Sequence, residues 1–225
     1  MTTDPYPTNK SCPAACIFHE RAQEYDSWYD NNPLFLTELN ALKSISTDLP
    51  APRMEIGTGP GRFAEHLQVS FGIDPAYAAL QRAGKRDIMG IVGVGENLPL
   101  QEDRFGTLYL LFTLCFLKDP GRVLKECHRV LQSHGRLVIG MIPANSELGN
   151  TLIAKRKKGN PFYTHARFYT VAETMSILEN TGFTLLESRS VQLSSNDTDT
   201  AQTSRPGMDE QAGFCILVSA KEKIS

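Results

Sequence analysis

The sequence predicts a doubly wound α/β fold, in which helices cover both faces of a mainly parallel sheet. A strand-like run at residues 53–56 is followed by three glycines within five residues and then by a helical pattern. Residues 71–74 form a second strand-like run, which ends in the carboxylate of Asp74. Short apolar runs then alternate with helical patterns, which is typical of βαβ units. A chain of 225 residues is long enough for one sizeable core, so we expect residues 1–225 to form a single domain.

Composition and charge argue against nucleic-acid and membrane partners. The hydrophobic fraction of 41% and the charged fraction of 21% are ordinary for a globular protein. A net charge of -2 gives no basic surface for nucleic acid, so we expect no nucleic-acid partner. No apolar run approaches the roughly 20 residues of a membrane helix, and residues 1–10 lack the layout of a signal peptide. We therefore expect a cytoplasmic protein without a membrane partner.

The five cysteines predict neither a disulfide framework nor a metal centre. Their number is odd, and three of them lie in apolar segments, where free cysteine behaves as a small hydrophobic residue. Cys12 and Cys16 are close in sequence, but no second ligand pair with zinc spacing occurs. We expect reduced thiols and no bound metal.

Residues 1–50 precede the first predicted strand. Residues 1–12 are polar and contain proline, so we expect a loose arm. One amphipathic helix is predicted next, because apolar and aromatic residues recur at helical spacing at Phe18, Ala22, Tyr25 and Tyr29. A second helix begins near residue 33. The stripe of the first helix is of the kind that usually packs in a core, and the α/β core itself is expected over residues 51–225.

The glycine-rich stretch after the first strand is typical of a nucleotide-type cleft. Without a Cβ atom, Gly57, Gly59 and Gly61 can take positive φ and let the main chain approach a ligand, while the following helix directs N–H groups toward it. The dinucleotide pattern G-x-G-x-x-G requires a sixth-position glycine where this chain has Arg62. Asp74, at the end of the second strand, is placed to accept hydrogen bonds from both hydroxyls of a ribose.

The rest of the chain continues the alternation. A helix from residue 120 is predicted to end at Gly135, and a capping box of Thr170 and Glu173 opens another helix. Residues 194–211 are polar and are expected to form a mobile loop. Further strands are predicted at residues 89–94, 105–113, 136–142, 183–193 and 213–220.

The stretches E-I-G-T-G-P-G and G-I-D-P resemble the class I S-adenosylmethionine-dependent methyltransferases of the small-molecule type, and the resemblance covers nearly the whole chain. It implies a Rossmann-like, seven-stranded sheet of order 3-2-1-4-5-7-6 with an antiparallel seventh strand. It also implies an N-terminal helical lid over the methyl donor, S-adenosylmethionine. Open α/β sheets bind ligands beyond the carboxyl ends of their strands, so we expect the donor beyond the first, second and fourth strands.

By match of position, the resemblance implies which residues bind the donor. The glycine loop would surround the amino-acid and ribose portions, Glu55 would orient the amino group, and Asp74 would hold the ribose. Val94 stands where the family commonly has aspartate, so an adenine contact would pass to Glu96, Asn97 or main chain, or would be missing. The full set is Tyr25, Glu55, Gly57, Thr58, Gly59, Gly61, Asp74, Pro75, Gly95, Glu96, Asn97, Leu98 and Thr113.

Residues 160–169 contain several aromatics, a histidine and an arginine in a connection between elements, which indicates a loop bordering a site. We expect Trp28, Tyr163 and Arg167 to bind the acceptor and His165 to be the catalytic base, in one pocket with Tyr25. The alternative is that the aromatics pack against the lid helix and that His165 is structural. The sulfonium donor is already activated, so a dedicated base is not required.

The sequence thus predicts methyl transfer from S-adenosylmethionine to a small-molecule acceptor. Two other functions stay open. The first is an NAD(P)-dependent oxidoreductase, which Arg62 disfavours because it interrupts the dinucleotide pattern. The second is a non-catalytic protein that binds S-adenosylmethionine, which Val94 leaves open.

Overall fold

The structure is a computed structural model, and it describes residues 13–193 and 203–222. The helices are α1 (Pro13–Glu20), α2 (Ala22–Ser27), α3 (Pro33–Lys43), α4 (Arg62–His66), α5 (Tyr77–Gly84), α6 (Pro120–Val130), α7 (Glu147–Lys157) and α8 (Val171–Asn180), with a 3-10 turn at Leu114–Phe116. The strands are β1 (Arg53–Ile56), β2 (Phe71–Asp74), β3 (Met89–Val92), β4 (Phe105–Leu111), β5 (Leu131–Met141), β6 (Phe183–Val191), β7 (Arg205–Pro206) and β8 (Phe214–Lys221).

The described strands form one sheet in the order β3-β2-β1-β4-β5-β8-β6-β7. Strands β1 to β5 are parallel to one another, and β8 runs antiparallel to both β5 and β6. The doubly wound fold and the order 3-2-1-4-5-7-6 are therefore confirmed, with β8 as the antiparallel seventh strand. The predicted count of seven is wrong by one, because Arg205 and Pro206 pair with the outer edge of β6 as an additional short strand.

The predicted ends of β3, β4, β6 and β8 differ from the structure by one or two residues, and two segments differ more. The apolar stripe of α6 was expected to run to Gly135, but α6 ends at Val130, because Leu131 pairs with Phe105 and so starts β5. The mobile loop expected at residues 194–211 lies outside the described residues up to residue 202. The prediction of a mobile loop is wrong for Arg205 and Pro206, which form β7.

Both faces of the sheet are covered, as the continuous apolar run of β4 indicates. All seven residues of β4 are buried. Leu108 and Leu110 pack on one face with residues of α6 and α8, whereas Tyr109 and Leu111 pack on the other face with residues of α3 and α4. Alternate side chains of a strand point to opposite faces, so β4 anchors both halves of the core.

The N-terminal helices close over the carboxyl ends of the strands. The single helix predicted here is divided at Arg21, whose φ of -112° and ψ of 28° separate α1 from α2. Asp26 of α2 accepts charged hydrogen bonds from Arg62 at 2.5 Å, Arg86 at 3.0 Å and Arg82 at 3.3 Å. We call these four residues the Asp26 cluster. Arg62, which interrupts the dinucleotide pattern, therefore joins α2 to the core.

Candidate functional site

A cleft at the carboxyl ends of β1, β2 and β4 begins with the glycine loop, and we call it the glycine-loop cleft. Gly57, Gly59 and Gly61 have φ angles of 73°, 51° and 80°. The Gly57 N–H donates to the carbonyl of Ile73 at 2.8 Å, which ties the loop to β2. A Cβ atom on Gly57 would lie 2.3 Å from Thr113 Oγ1, so the approach of the loop to the end of β4 requires glycine there.

Asp74 is the carboxylate of this cleft, and it is 9% exposed. One of its oxygens accepts from the Gly59 N–H at 2.9 Å and the other from the Ala76 N–H at 2.7 Å. Burial raises the pKa of Asp74 to about 6, against the opposing effect of these two amides. Each carboxylate oxygen retains a further lone pair, so the side chain can still accept from a vicinal diol.

Most of the predicted donor residues line the glycine-loop cleft. Tyr25 reaches it from α2, and the others follow the ends of β1, β2, β3 and β4. Val94 lines it as well. The lining members of the predicted set are Tyr25, Gly57, Gly59, Asp74, Pro75, Gly95, Glu96 and Thr113.

Five residues of the predicted set lie outside this lining. Glu55 is 3% exposed and accepts from the Thr58 hydroxyl at 3.1 Å, so the two side chains bond to each other beneath the loop. Burial raises the pKa of Glu55 to about 8. Gly61 caps α4 and faces Ala83.

Asn97 and Leu98 lie outside the lining for a different reason. Asn97 is exposed to solvent, and Leu98 is buried in the core. The Leu98 N–H donates to the carboxylate of Glu126 at 2.9 Å, which fixes the main chain after β3 against α6. Of the four-residue adenine segment expected here, the structure brings Gly95 and Glu96 to the cleft and leaves the next two residues away from it.

The first two helices cover the glycine-loop cleft, which agrees with the lid that the resemblance implies. Ala14, Ala15 and Phe18 of α1 line the cleft together with Tyr25 of α2. A Cβ atom on Gly59 would lie 3.3 Å from the Tyr25 ring, so this ring rests on the glycine loop. The cavity left beneath the lid is about 90 Å³. Ligand pockets usually measure about 300 Å³ or more, so this space is smaller than a nucleoside site usually is.

A second and larger cavity of about 440 Å³ adjoins the cleft, and we call it the aromatic cavity. Four residues, Phe18, Tyr25, Phe112 and Phe116, line both spaces and form their shared wall. The Trp28 and Phe162 rings meet edge to face with centroids 4.5 Å apart. The aromatic lining consists of Phe18, Tyr25, Trp28, Tyr29, Phe35, Phe63, Phe112, Phe116, Phe162, Tyr163, Phe168 and Tyr169.

Glu38 of α3 is the carboxylate of the aromatic cavity. It is 8% exposed, and within the described ranges it has no hydrogen bond or ion pair. Burial raises its pKa to about 8. The sequence analysis missed Glu38, although a signal was present, because Glu38 lies three residues after Phe35 and one before Leu39 on the inward face of α3.

His165 and Arg167 do not join the pocket that was predicted for five residues. His165 is exposed and lines neither space. The Arg167 side chain is 67% exposed, pairs with Glu173 at 3.2 Å and stacks on Tyr169 at 4.6 Å from its centroid. The guanidinium keeps its solvation and its ion pair by pointing outward. The predicted pocket is thus reduced to Tyr25, Trp28 and Tyr163.

Two further sequence predictions concern metals and membranes. Among residues 13–193 and 203–222, no three His, Cys, Asp or Glu side chains converge on a common point. Cys12 lies outside these ranges. No helix in the same ranges combines the length and the apolar character needed to span a membrane.

Comparisons with known proteins agree with this geometry. A family model described as a methyltransferase domain matches residues 54–139. An uncharacterized protein of Methanocaldococcus jannaschii is 34% identical over 169 residues, which are 74% of this chain and 80% of that protein. An uncharacterized protein of Mycobacterium tuberculosis is 38% identical over 180 residues, 79% of this chain. The match spans only 63% of that relative's length.

Among solved structures, a crystal structure from Thermotoga maritima is similar along almost the entire chain. That protein is described as an S-adenosylmethionine-dependent methyltransferase and possible histamine N-methyltransferase. The TM-score is 0.85 at 30% identity, covering 93% of this chain and 100% of the other. With the glycine loop, the buried Asp74 and the sheet order, these similarities lead to one conclusion. The chain belongs to the class I S-adenosylmethionine-dependent methyltransferase family.

Proposed function

We propose that the protein transfers a methyl group from S-adenosylmethionine to a small-molecule acceptor bound in the aromatic cavity. One observation carries the proposal. The aromatic cavity of about 440 Å³ meets the glycine-loop cleft at a wall of four side chains. An acceptor in the cavity and a donor in the cleft would therefore meet at Phe18, Tyr25, Phe112 and Phe116.

The cleft has the groups that such a donor requires. Asp74 is proposed to accept hydrogen bonds from the ribose hydroxyls, and Gly57 and Gly59 to let the main chain approach the amino-acid portion. Glu96, Gly95 and Pro75 would border the adenine and ribose. Thr113, at the end of β4, would lie near the methionine portion. The fit requires α1 and α2 to move, because the cavity beneath them is only about 90 Å³.

Residues outside the lining have a supporting role in this proposal. Glu55 and Thr58 bond to each other under the loop at 3.1 Å, so they would hold its conformation. If Glu55 also contacts the amino group of the donor, it does so only after a local movement. Gly61 would set the start of α4, and Leu98 would hold the main chain after Gly95.

The protein's contribution to the chemistry is alignment and exclusion of water. S-adenosylmethionine supplies the methyl group on a positively charged sulfur, which is an activated leaving group. The acceptor lone pair forms the new bond to the methyl carbon while the carbon–sulfur bond breaks and its electrons pass to sulfur. Tyr25 and Phe112 would hold the two partners in line and shield them from water, and the ring faces favour the nearby positive charge. His165 is exposed, so we propose no base at that position.

A calorimetric titration tests the donor half of the proposal. We expect S-adenosylmethionine and its product S-adenosylhomocysteine to bind, and Asp74→Ala to weaken both. NADH is the competing ligand, since the same fold serves dinucleotides. Tight binding of NADH without binding of S-adenosylmethionine would replace the proposal by an oxidoreductase.

Incubation with methyl-labelled donor and a metabolite extract tests the transfer itself. We expect label in a small organic product. Donor binding without transfer to any component would favour the second candidate, a binding protein without catalysis. That candidate is supported by Val94, which lines the cleft where the family commonly has an acid.

A further inference from the structure

We infer that the acceptor carries an ammonium group, which the Glu38 carboxylate and the surrounding aromatic rings bind. This inference rests on the proposed function and names the acceptor class for the same site. Its basis is the side-chain chemistry of the aromatic cavity, which combines one buried acid with many ring faces.

The first observation is that Glu38 has no partner. It is 8% exposed and lines the cavity, but no hydrogen bond or ion pair is formed to it by the described residues. Burying a charged or polar group without a partner is costly, and most buried acids are therefore paired. A bound cation would supply the missing partner.

The second observation is the ring density around this carboxylate. Tyr29 and Tyr163 are close enough for the charge of Glu38 to affect their ionisation, and both line the cavity. Phe35 lies one turn earlier on the same helix face. Aromatic faces attract cations, and cages of such rings are a known way to bind ammonium groups.

The other charged side chain of the lining is Lys155 of α7. It is exposed to solvent, and no ion pair connects it to Glu38 within the parts of the chain that the structure describes. The carboxylate therefore remains available to a ligand in the cavity.

The position of Glu38 also orients the ligand. Glu38 lines the aromatic cavity but not the glycine-loop cleft. An ammonium group held by Glu38 would leave the rest of the acceptor pointing to the shared wall of Phe18, Tyr25, Phe112 and Phe116. Glu38 is thus assigned to binding and positioning, away from the atom that receives the methyl group.

Matched ligand pairs test the inference. Binding is measured by calorimetry on the full chain saturated with S-adenosylhomocysteine. The probes are 2-phenylethylamine against 2-phenylethanol, and butylamine against butanol, so that each pair differs in charge at nearly constant shape. We expect the wild type to prefer each amine by about ten-fold or more, since hydrogen bonds to charged groups are the stronger kind.

Two variants locate the effect. Glu38→Gln keeps the shape of the side chain and should abolish the preference for amines, with the affinity for S-adenosylhomocysteine unchanged. Glu179→Gln makes the same change of charge at an exposed position of α8, and it should leave the preference intact. Circular dichroism spectra of both variants report whether the fold is kept.

A proton measurement separates charge recognition from a purely steric role. Burial raises the pKa of Glu38 to about 8, so at pH 7 an ammonium ligand should displace a proton from it. The titratable or charged side chains that line the cavity with Glu38 include Lys155, Tyr29, Tyr163 and Cys115. Burial raises the pKa of Tyr29, and it raises the pKa values of Tyr163 and Cys115 to about 12. The two tyrosines and the thiol therefore keep their protons at pH 7, so the release seen by calorimetry in two buffers should vanish in Glu38→Gln.

The outcomes distinguish failure of the proposed function from failure of the ammonium inference. If the wild type does not bind S-adenosylhomocysteine, the proposed function fails. If it does bind but neither amine binds more tightly than its alcohol, or if Glu38→Gln keeps the preference, the ammonium inference is overturned while the proposed function stands.

Discussion

Replacing Asp26 by asparagine should loosen the lid formed by α1 and α2. Asp26 is the anion on which Arg62, Arg82 and Arg86 converge, at distances of 2.5, 3.3 and 3.0 Å. Its side chain is 9% exposed, and those of the arginines are 16–23% exposed. The substitution keeps the size of the side chain, and the Asp26 carbonyl, which accepts from Arg62 at 2.9 Å, is not altered.

The size of the effect follows from the burial of the pairs. Removing one partner of a fully buried ion pair costs about 3–5 kcal/mol, whereas exposed pairs contribute about 0–1 kcal/mol. These pairs lie between the two limits. Arg62 retains Asp30 at 2.8 Å and Arg86 retains Glu65 at 3.2 Å, so both arginines keep a partner. We therefore expect a loss of about 2 kcal/mol in lid closure, which corresponds to about a thirty-fold higher open population.

Trp28 provides the assay. It is the single tryptophan of the chain, and it lies immediately after α2 with its ring 4.5 Å from that of Phe162. Asp26→Asn should shift the Trp28 emission toward that of an exposed indole and increase hydrogen exchange in α1 and α2. If the donor enters the cleft by displacing the lid, as proposed, the association rate of S-adenosylhomocysteine, measured by stopped-flow fluorescence, should increase.

Asp30→Asn is the matched control. Asp30 is 59% exposed and pairs only with Arg62 among the described residues, so its loss should cost less than about 1 kcal/mol. The reasoning is refuted if Asp26→Asn leaves exchange in α2 and the association rate within experimental error of the wild type, or if Asp30→Asn has the larger effect.

Three further predictions concern single residues. Donor affinity measured by calorimetry should fall as the pH drops through about 6, because protonated Asp74 is a poorer acceptor for ribose hydroxyls. Asp74→Asn should remove this pH dependence. A flat wild-type profile from pH 5 to 7.5 would contradict the prediction. Gly57→Ala should lower the free energy of unfolding in urea by about 2–4 kcal/mol, since strained φ adds to a contact at 2.3 Å. Gly159→Ala, with a φ of 78° but open space around it, should cost only the backbone strain, and equal losses would be evidence against the contact. His165→Ala should keep turnover with the true acceptor within about two-fold of the wild type; a large loss of kcat would restore His165 as the base.

Some features of this protein follow from local sequence patterns, whereas others depend on contacts between residues far apart in the chain. The glycine loop, the strand that ends in Asp74 and the apolar run of β4 are local patterns, and the structure has a loop, a strand end and a buried strand at these places. Because parallel strands end at the same edge of a sheet, those patterns were enough to predict that Gly57, Asp74 and Thr113 lie in one cleft. The fold class, the strand order and most of the lining of the glycine-loop cleft could therefore be anticipated.

The predicted donor residues that lie outside the lining of the glycine-loop cleft share one explanation. Glu55, Thr58 and Leu98 were assigned by position in a motif, which does not tell whether a side chain points into the cleft or beneath it. The Leu98 side chain lies in the core, and the Leu98 N–H donates to Glu126 of α6, a residue far along the chain. Such contacts are decided by packing between elements.

The composition of the aromatic cavity depends almost wholly on tertiary structure. The aromatic cavity is lined by residues of α1 to α4, of the ends of β4 and β5, of α7 and of the stretch 162–169, which together span much of the chain. Nothing local indicates that Glu38 has no partner there, or that His165 and Arg167 turn to solvent. Short-range periodicity and strand direction specify the sheet and the edge where the glycine-loop cleft lies, so both could be predicted from the sequence. The shape and charge of the aromatic cavity depend on how the N-terminal helices pack on that edge, because burial of Glu38 and pairing of Asp26 arise from groups that meet only in the folded chain.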